Sequence, residues 1–77
     1  MSIQIKLFGL LADAVGKSQL DVKEVDDTDM LKQTLLNSFP KLKNYHFVIA
    51  VNKQISNGNQ TLKTGDVVAL LPPFAGG

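Results

Sequence analysis

Ile3, Ile5 and Leu7 alternate with Gln4 and Lys6, the period of two of a strand that buries one face, and Phe8 falls on the opposite face. Leu10–Val15 has the length and apolar content of a short helix, with Gly16 as its stop. Leu20 and Val22 alternate with Gln19, Asp21 and Lys23 in a second strand. Asp27 or Thr28 then supplies the N-cap of the main helix, along which Leu31, Leu35 and Phe39 recur on one face until Pro40 ends it. After a lysine-rich loop, residues 45–51 read as a strand, Asn57-Gly58 as a tight turn, and Thr64-Gly65-Asp66 as another. Val67–Leu71 is apolar on both faces, the pattern of an interior strand in a mixed or parallel sheet.

A ββαββ order with one substantial helix predicts an α+β chain of the β-grasp type, a mixed sheet wrapped over that helix. One helix covers one face of such a sheet. Phe8 and part of Val67–Leu71 are therefore expected to leave an apolar patch exposed, suited to docking another protein. Residues 1–71 make the domain, and residues 72–77, Pro72-Pro73-Phe74-Ala75-Gly76-Gly77, make a flexible tail. The two prolines have fixed φ and no N–H, so they end the strand before them and stiffen the root of the tail. Two glycines without Cβ form the thinnest stretch a polypeptide allows, able to pass a narrow slot. Extended, the six residues span on the order of 20 Å. No side chain from Val67 onward is charged, so the tail leaves water at the cost of desolvating only its own α-carboxylate.

Composition narrows the chemistry. Seventy-seven residues suffice for one small core and no second domain. Eight lysines and no arginine give a formal net charge of +1, and without the guanidinium fork that reads phosphate and guanine, nucleic acid is disfavoured as main ligand. The absence of cysteine removes disulfides, thiolate metal sites and thiol nucleophiles. No apolar run approaches membrane-spanning length and no signal segment opens the chain, so a cytoplasmic location is expected. His46, the sole histidine, sits in a strand-like run and reads as an outward or boundary residue. Asp26-Asp27-Thr28-Asp29 lacks the glycine and distant glutamate of a calcium loop and instead complements the helix dipole; no metal site is expected. Lys41 and Lys43 read as a solvated surface or a weak electrostatic contact.

The tail Leu71-Pro72-Pro73-Phe74-Ala75-Gly76-Gly77, the preceding Gly65-Asp66-Val67-Val68-Ala69-Leu70 and the opening Ile5-Lys6-Leu7-Phe8 resemble the small subunit of molybdopterin synthase, a ubiquitin-like sulfur carrier family. Ala50-Val51-Asn52 followed by Ile55 is similar to that family's middle strand and turn, and Leu31-Lys32-Gln33 to its helix. The resemblance implies that an activating enzyme related to the ubiquitin-activating enzymes, using ATP and Mg²⁺, adenylates Gly77, which then becomes a thiocarboxylate. It implies a large subunit, assembled with this one in a heterotetramer, whose pocket holds cyclic pyranopterin monophosphate, the acceptor of the dithiolene sulfurs. The chain itself would be a sulfur donor without a catalytic pocket and without a bound cofactor. Gly76 would give clearance, Ala75, Phe74 and Pro73 would contact the channel, and Phe8 and Leu71 would meet the partner. Where the family often carries Arg-Glu in the first short helix, this chain has Ala12-Asp13, which puts a basic contact there in doubt. Three alternatives stay open: a carrier for thiamine or tRNA thiolation, a modifier joined by an isopeptide bond through Gly77, and an interaction domain with an inert end.

Overall fold

The aliphatic side chains of the first strand decide where the core lies. In the computed structural model, which describes residues 2–73, Ile3, Ile5 and Leu7 of β1 (Ser2–Leu7) are buried while Gln4 and Lys6 face the other way. β2 (Gln19–Lys23) pairs antiparallel with β1, setting Val22 beside Ile3 and Leu20 beside Ile5 on the same face. β5 (Val67–Leu71) lies parallel to β1 on its other side, and β3 (Val48–Val51) pairs antiparallel with β5. With the two-residue β4 (Gln54–Ile55) at the edge, the sheet order is β2-β1-β5-β3-β4. The strand that is apolar on both faces thus occupies the middle, with neighbours on either side.

Two helices cover the core face. α1 (Leu10–Val15) buries Leu11 and stops at Gly16, whose φ of 85° is open to glycine at little cost. α2 (Thr28–Ser38) is capped by Asp27, whose carboxylate accepts from the Met30 N–H at 2.8 Å, which settles the choice between Asp27 and Thr28. Thr28 instead lies buried and ties α2 to the loop before β5. Its hydroxyl accepts from the Gln60 N–H at 2.9 Å and donates to the Asn59 carboxamide oxygen at 3.3 Å, and the Leu62 N–H donates to the Asp26 carbonyl. Those bonds hold Leu62 and Val25 in the core beside Leu31 and Leu35.

Two expectations are corrected. The strand expected over residues 45–51 is only Val48–Val51, because Pro40–Asn44 forms a 3₁₀ turn in place of the lysine-rich loop. Pro40 presets its first turn, Leu42 inserts fully into the core, and the Tyr45 N–H closes the turn on the Leu42 carbonyl. The tight hairpin turn lies at Asn52-Lys53, where the pairing of Val51 with Gln54 leaves two residues to reverse the chain; Asn57-Gly58 sits in a wider loop that bends at Gly58. Asn52 and Lys53 both have positive φ, 49° and 73°, as a two-residue turn matching the sheet twist requires.

Candidate functional site

Parallel pairing of β1 and β5 brings their C-terminal ends to one end of the sheet, so Phe8-Gly9-Leu10 and Pro72-Pro73 leave it side by side. Leu71 pairs across to Val48 on the face turned away from the helices, and Val67 and Ala69 share that face. Phe8 is 46% exposed, and Leu10 is 63% exposed although it opens a helix. These side chains make an apolar band around the end of β5 and Pro72. The expected patch of Phe8 and β5 residues is therefore present, with Leu71 half-buried in it. Pro72 follows the last residue of β5, as a residue without an N–H to donate should.

Two hollows flank this band. One, of about 390 Å³, runs over the outer sheet face between Lys6, Phe8, Asn52, Lys53, Val67 and Ala69. The other, of about 320 Å³, lies under the root of the tail and is bounded by Gly9, Leu10, Leu11, Tyr45, His46, Pro72 and Pro73. Tyr45 and His46, neighbours in the chain, are exposed at its rim, and the rest of the described lining is Gly, Leu and Pro. Among the described residues no group of three His, Asp or Glu side chains is placed to hold a metal ion, and no helix is long and apolar enough to cross a membrane. The expected channel contacts Phe74 and Ala75, the clearance residue Gly76 and the acyl residue Gly77 lie outside the described residues; Pro73 is within them and exposed.

The turn beside the larger hollow is locked by polar contacts. Asp66 accepts from the Lys63 N–H at 2.8 Å and from the Asn52 side-chain amide at 3.0 Å, while the Asn52 carboxamide oxygen takes the Val67 N–H at 3.0 Å. The Gly65 φ of 90° lets the chain reverse just before this clamp. The Asn52 and Lys63 hydrogen bonds hold the Asp66 carboxyl below its ordinary pKa of 3.8. Because the folded value is the depressed one, the clamp's contribution is present above that range and is lost as pH falls through the folded pKa. Asp66→Asn should therefore melt below wild type at pH 7, and the gap should close in strong acid. Thermal melts of the two proteins across that range check the sign.

Sequence reasoning missed Leu10, Lys6, Asn52 and Lys53 as parts of this surface. Leu10 is indistinguishable from Leu11 by composition, and lysines in alternation carry no signal beyond exposure. Only the strand order shows that Lys6 and Lys53 face one hollow.

Fold and site together define a ubiquitin-like β-grasp protein with an apolar face beside Pro72-Pro73. The chain belongs to the ThiS family, whose model matches residues 5–77. It is 29% identical over 83 residues to the molybdopterin synthase sulfur carrier subunit of Caenorhabditis elegans, a match covering 100% of this chain and 99% of that protein. Among solved structures it is similar to the protein–protein complex of subunits 1 and 2 of the molybdopterin-converting factor from Helicobacter pylori 26695, with a TM-score of 0.71, 29% identity and 95% coverage of each chain. It is also similar to SAMP1 from Haloferax volcanii, with a TM-score of 0.81 and 25% identity over 100% of both chains.

Proposed function

We propose that this chain is the sulfur carrier subunit of a molybdopterin synthase. The observation that carries the reading is the full-length similarity to the Caenorhabditis elegans carrier subunit, within a family match that runs through Gly77, on a domain whose described residues include an apolar face and no metal-binding cluster. The similarity to the Caenorhabditis elegans carrier subunit supports the pathway, and the similarity to the Helicobacter pylori complex supports a large subunit as partner.

The chemistry follows from the acyl group. An α-carboxylate of pKa about 3.5 is ionised at neutral pH and is a poor electrophile. On the activating enzyme a Gly77 carboxylate oxygen attacks the α-phosphorus of ATP, Mg²⁺ screens the phosphates, and pyrophosphate leaves. The resulting acyl-adenylate is attacked at carbon by a sulfide-level nucleophile, hydrosulfide in the simplest case; AMP departs with one of the original carboxylate oxygens and the S–H proton is lost to water. The thiocarboxylate is an anionic sulfur nucleophile, held by the docked domain at a fixed angle to the pterin acceptor in the large subunit's pocket. Phe8 and Leu71 seat the domain, Pro73, Phe74 and Ala75 contact the large subunit's channel, and Gly76 passes its narrowest point. A cytoplasmic location is part of the same reading.

Incubation with ATP, Mg²⁺, the organism's activating enzyme and a sulfur source should exchange one oxygen for one sulfur in the intact chain, read by mass spectrometry. An unchanged mass under conditions that convert a known carrier would overturn the proposal. The whole-length similarity to SAMP1 favours one second reading, a protein modifier. That reading requires Gly77-linked conjugates on the lysines of other proteins, visible by immunoblot of cell extracts and absent for a pure carrier.

A further inference from the structure

We infer that the hollow on the outer sheet face is a charge-fringed slot for an apolar partner segment flanked by carboxylates, and that Lys6 and Lys53 select it. Its floor is Val67 and Ala69, its end wall is Phe8, and its lining includes two cations and no anion; the Asp66 carboxylate beside it is engaged by the Asn52 amide and the Lys63 N–H. Lys6 is exposed on β1, opposite Ala69 across the parallel pair. Lys53 comes from the other side, out of the β3–β4 turn, at a φ of 73° that L side chains rarely adopt. Glycine is the residue this turn position favours. A lysine held there against backbone preference, with its side chain on the rim of an apolar trough, points to a use for the charge.

The charges also decide between occupants. A second copy of this chain would bring the same two lysines to the same trough and meet repulsion, whereas a segment with acidic residues on either side of an apolar stretch satisfies both rims. The slot is continuous with Phe8, the proposed contact with the large subunit. The inference therefore rests on the carrier reading and adds the chemistry that the partner surface must present.

The test measures association of the full chain with subunit 2 of the molybdopterin-converting factor from the same organism, at low and high salt. Lys6→Glu/Lys53→Glu should weaken the complex by about tenfold or more, mostly through a slower on-rate, and flatten its salt dependence. Lys41→Glu/Lys43→Glu makes the same change in net charge on the helical side and should leave affinity within about twofold. Lys53→Gly, which suits the turn, should melt above wild type yet bind about threefold more weakly. A tight complex indifferent to Lys6 and Lys53, equal losses from both double variants, or self-association through this face overturns the inference and leaves the carrier reading intact. Failure to form any complex overturns the partner assignment, and the inference with it.

Discussion

Capping the Gly77 carboxylate as an amide should abolish sulfur loading outright, with no pyrophosphate released above background when the capped chain meets the activating enzyme and ATP. An amide nitrogen whose lone pair is delocalised into the carbonyl does not replace the carboxylate oxygen that attacks phosphorus. The acyl carbon then never acquires a leaving group. Gly76→Val separates access from reactivity. It keeps the carboxylate but adds a branched side chain to the segment proposed to thread the narrowest point, and a displacement of about 1 Å in a reacting group costs on the order of 10²-fold. Adenylation and transfer rates should fall at least that far. The core is built from residues between Ile3 and Leu70, so melting should stay within about 0.5 kcal/mol of wild type. A Gly76→Val chain loaded at the wild-type rate would show that no tight passage exists and leave the terminal chemistry standing. A capped chain that still supported molybdopterin formation would remove the chemistry itself.

The parts of this molecule legible in its sequence are those where one repeating pattern dominates. Ile3, Ile5 and Leu7 are buried as their alternation requires, Leu31 and Leu35 as helical spacing requires, and Gly65 turns the chain where a residue free at positive φ was expected. Val67–Leu71 announced a central strand because it had no polar face to give to water. Val25, Leu42 and Leu62 escaped notice because each stands alone among polar neighbours, where neither period of two nor of 3.6 can register. Their burial is decided by tertiary bonds such as Leu62 N–H to the Asp26 carbonyl. The apolar face divides the same way. Phe8 and Leu71 were visible as large apolar residues next to the tail, while Leu10 and the two rim lysines became recognisable only once β1 and β5 were known to finish at the same end of the sheet.

Leu42 carries the largest stability prediction for that reason. It is the one fully buried side chain of the 3₁₀ turn, flanked by the exposed Lys41 and Lys43, and its turn packs against both α1 and α2. Leu42→Ala removes three carbons from a site whose backbone is pinned by Pro40 and by the Tyr45 N–H, so the gap can close only partly. A loss of about 2–4 kcal/mol is expected. A domain of this size holds roughly 4–12 kcal/mol in all, and each kcal/mol moves the melting point by about 4–8 °C. The variant should therefore melt on the order of 10–30 °C lower, whereas Leu42→Met, which conserves volume, should cost below about 1.5 kcal/mol. Urea unfolding of the two variants beside wild type supplies the measurement. The consequence reaches the apolar face, because α1 bears Leu10 and loses part of its support when Leu42 is truncated. At temperatures where the Leu42→Ala chain is still mostly folded, amide exchange should quicken first in Leu10–Val15 while β1 and β5 stay protected. Uniform quickening would mean that α1 and the sheet open together, and that Leu42 braces the whole domain instead of the sheet end that bears Leu10 and Pro72-Pro73.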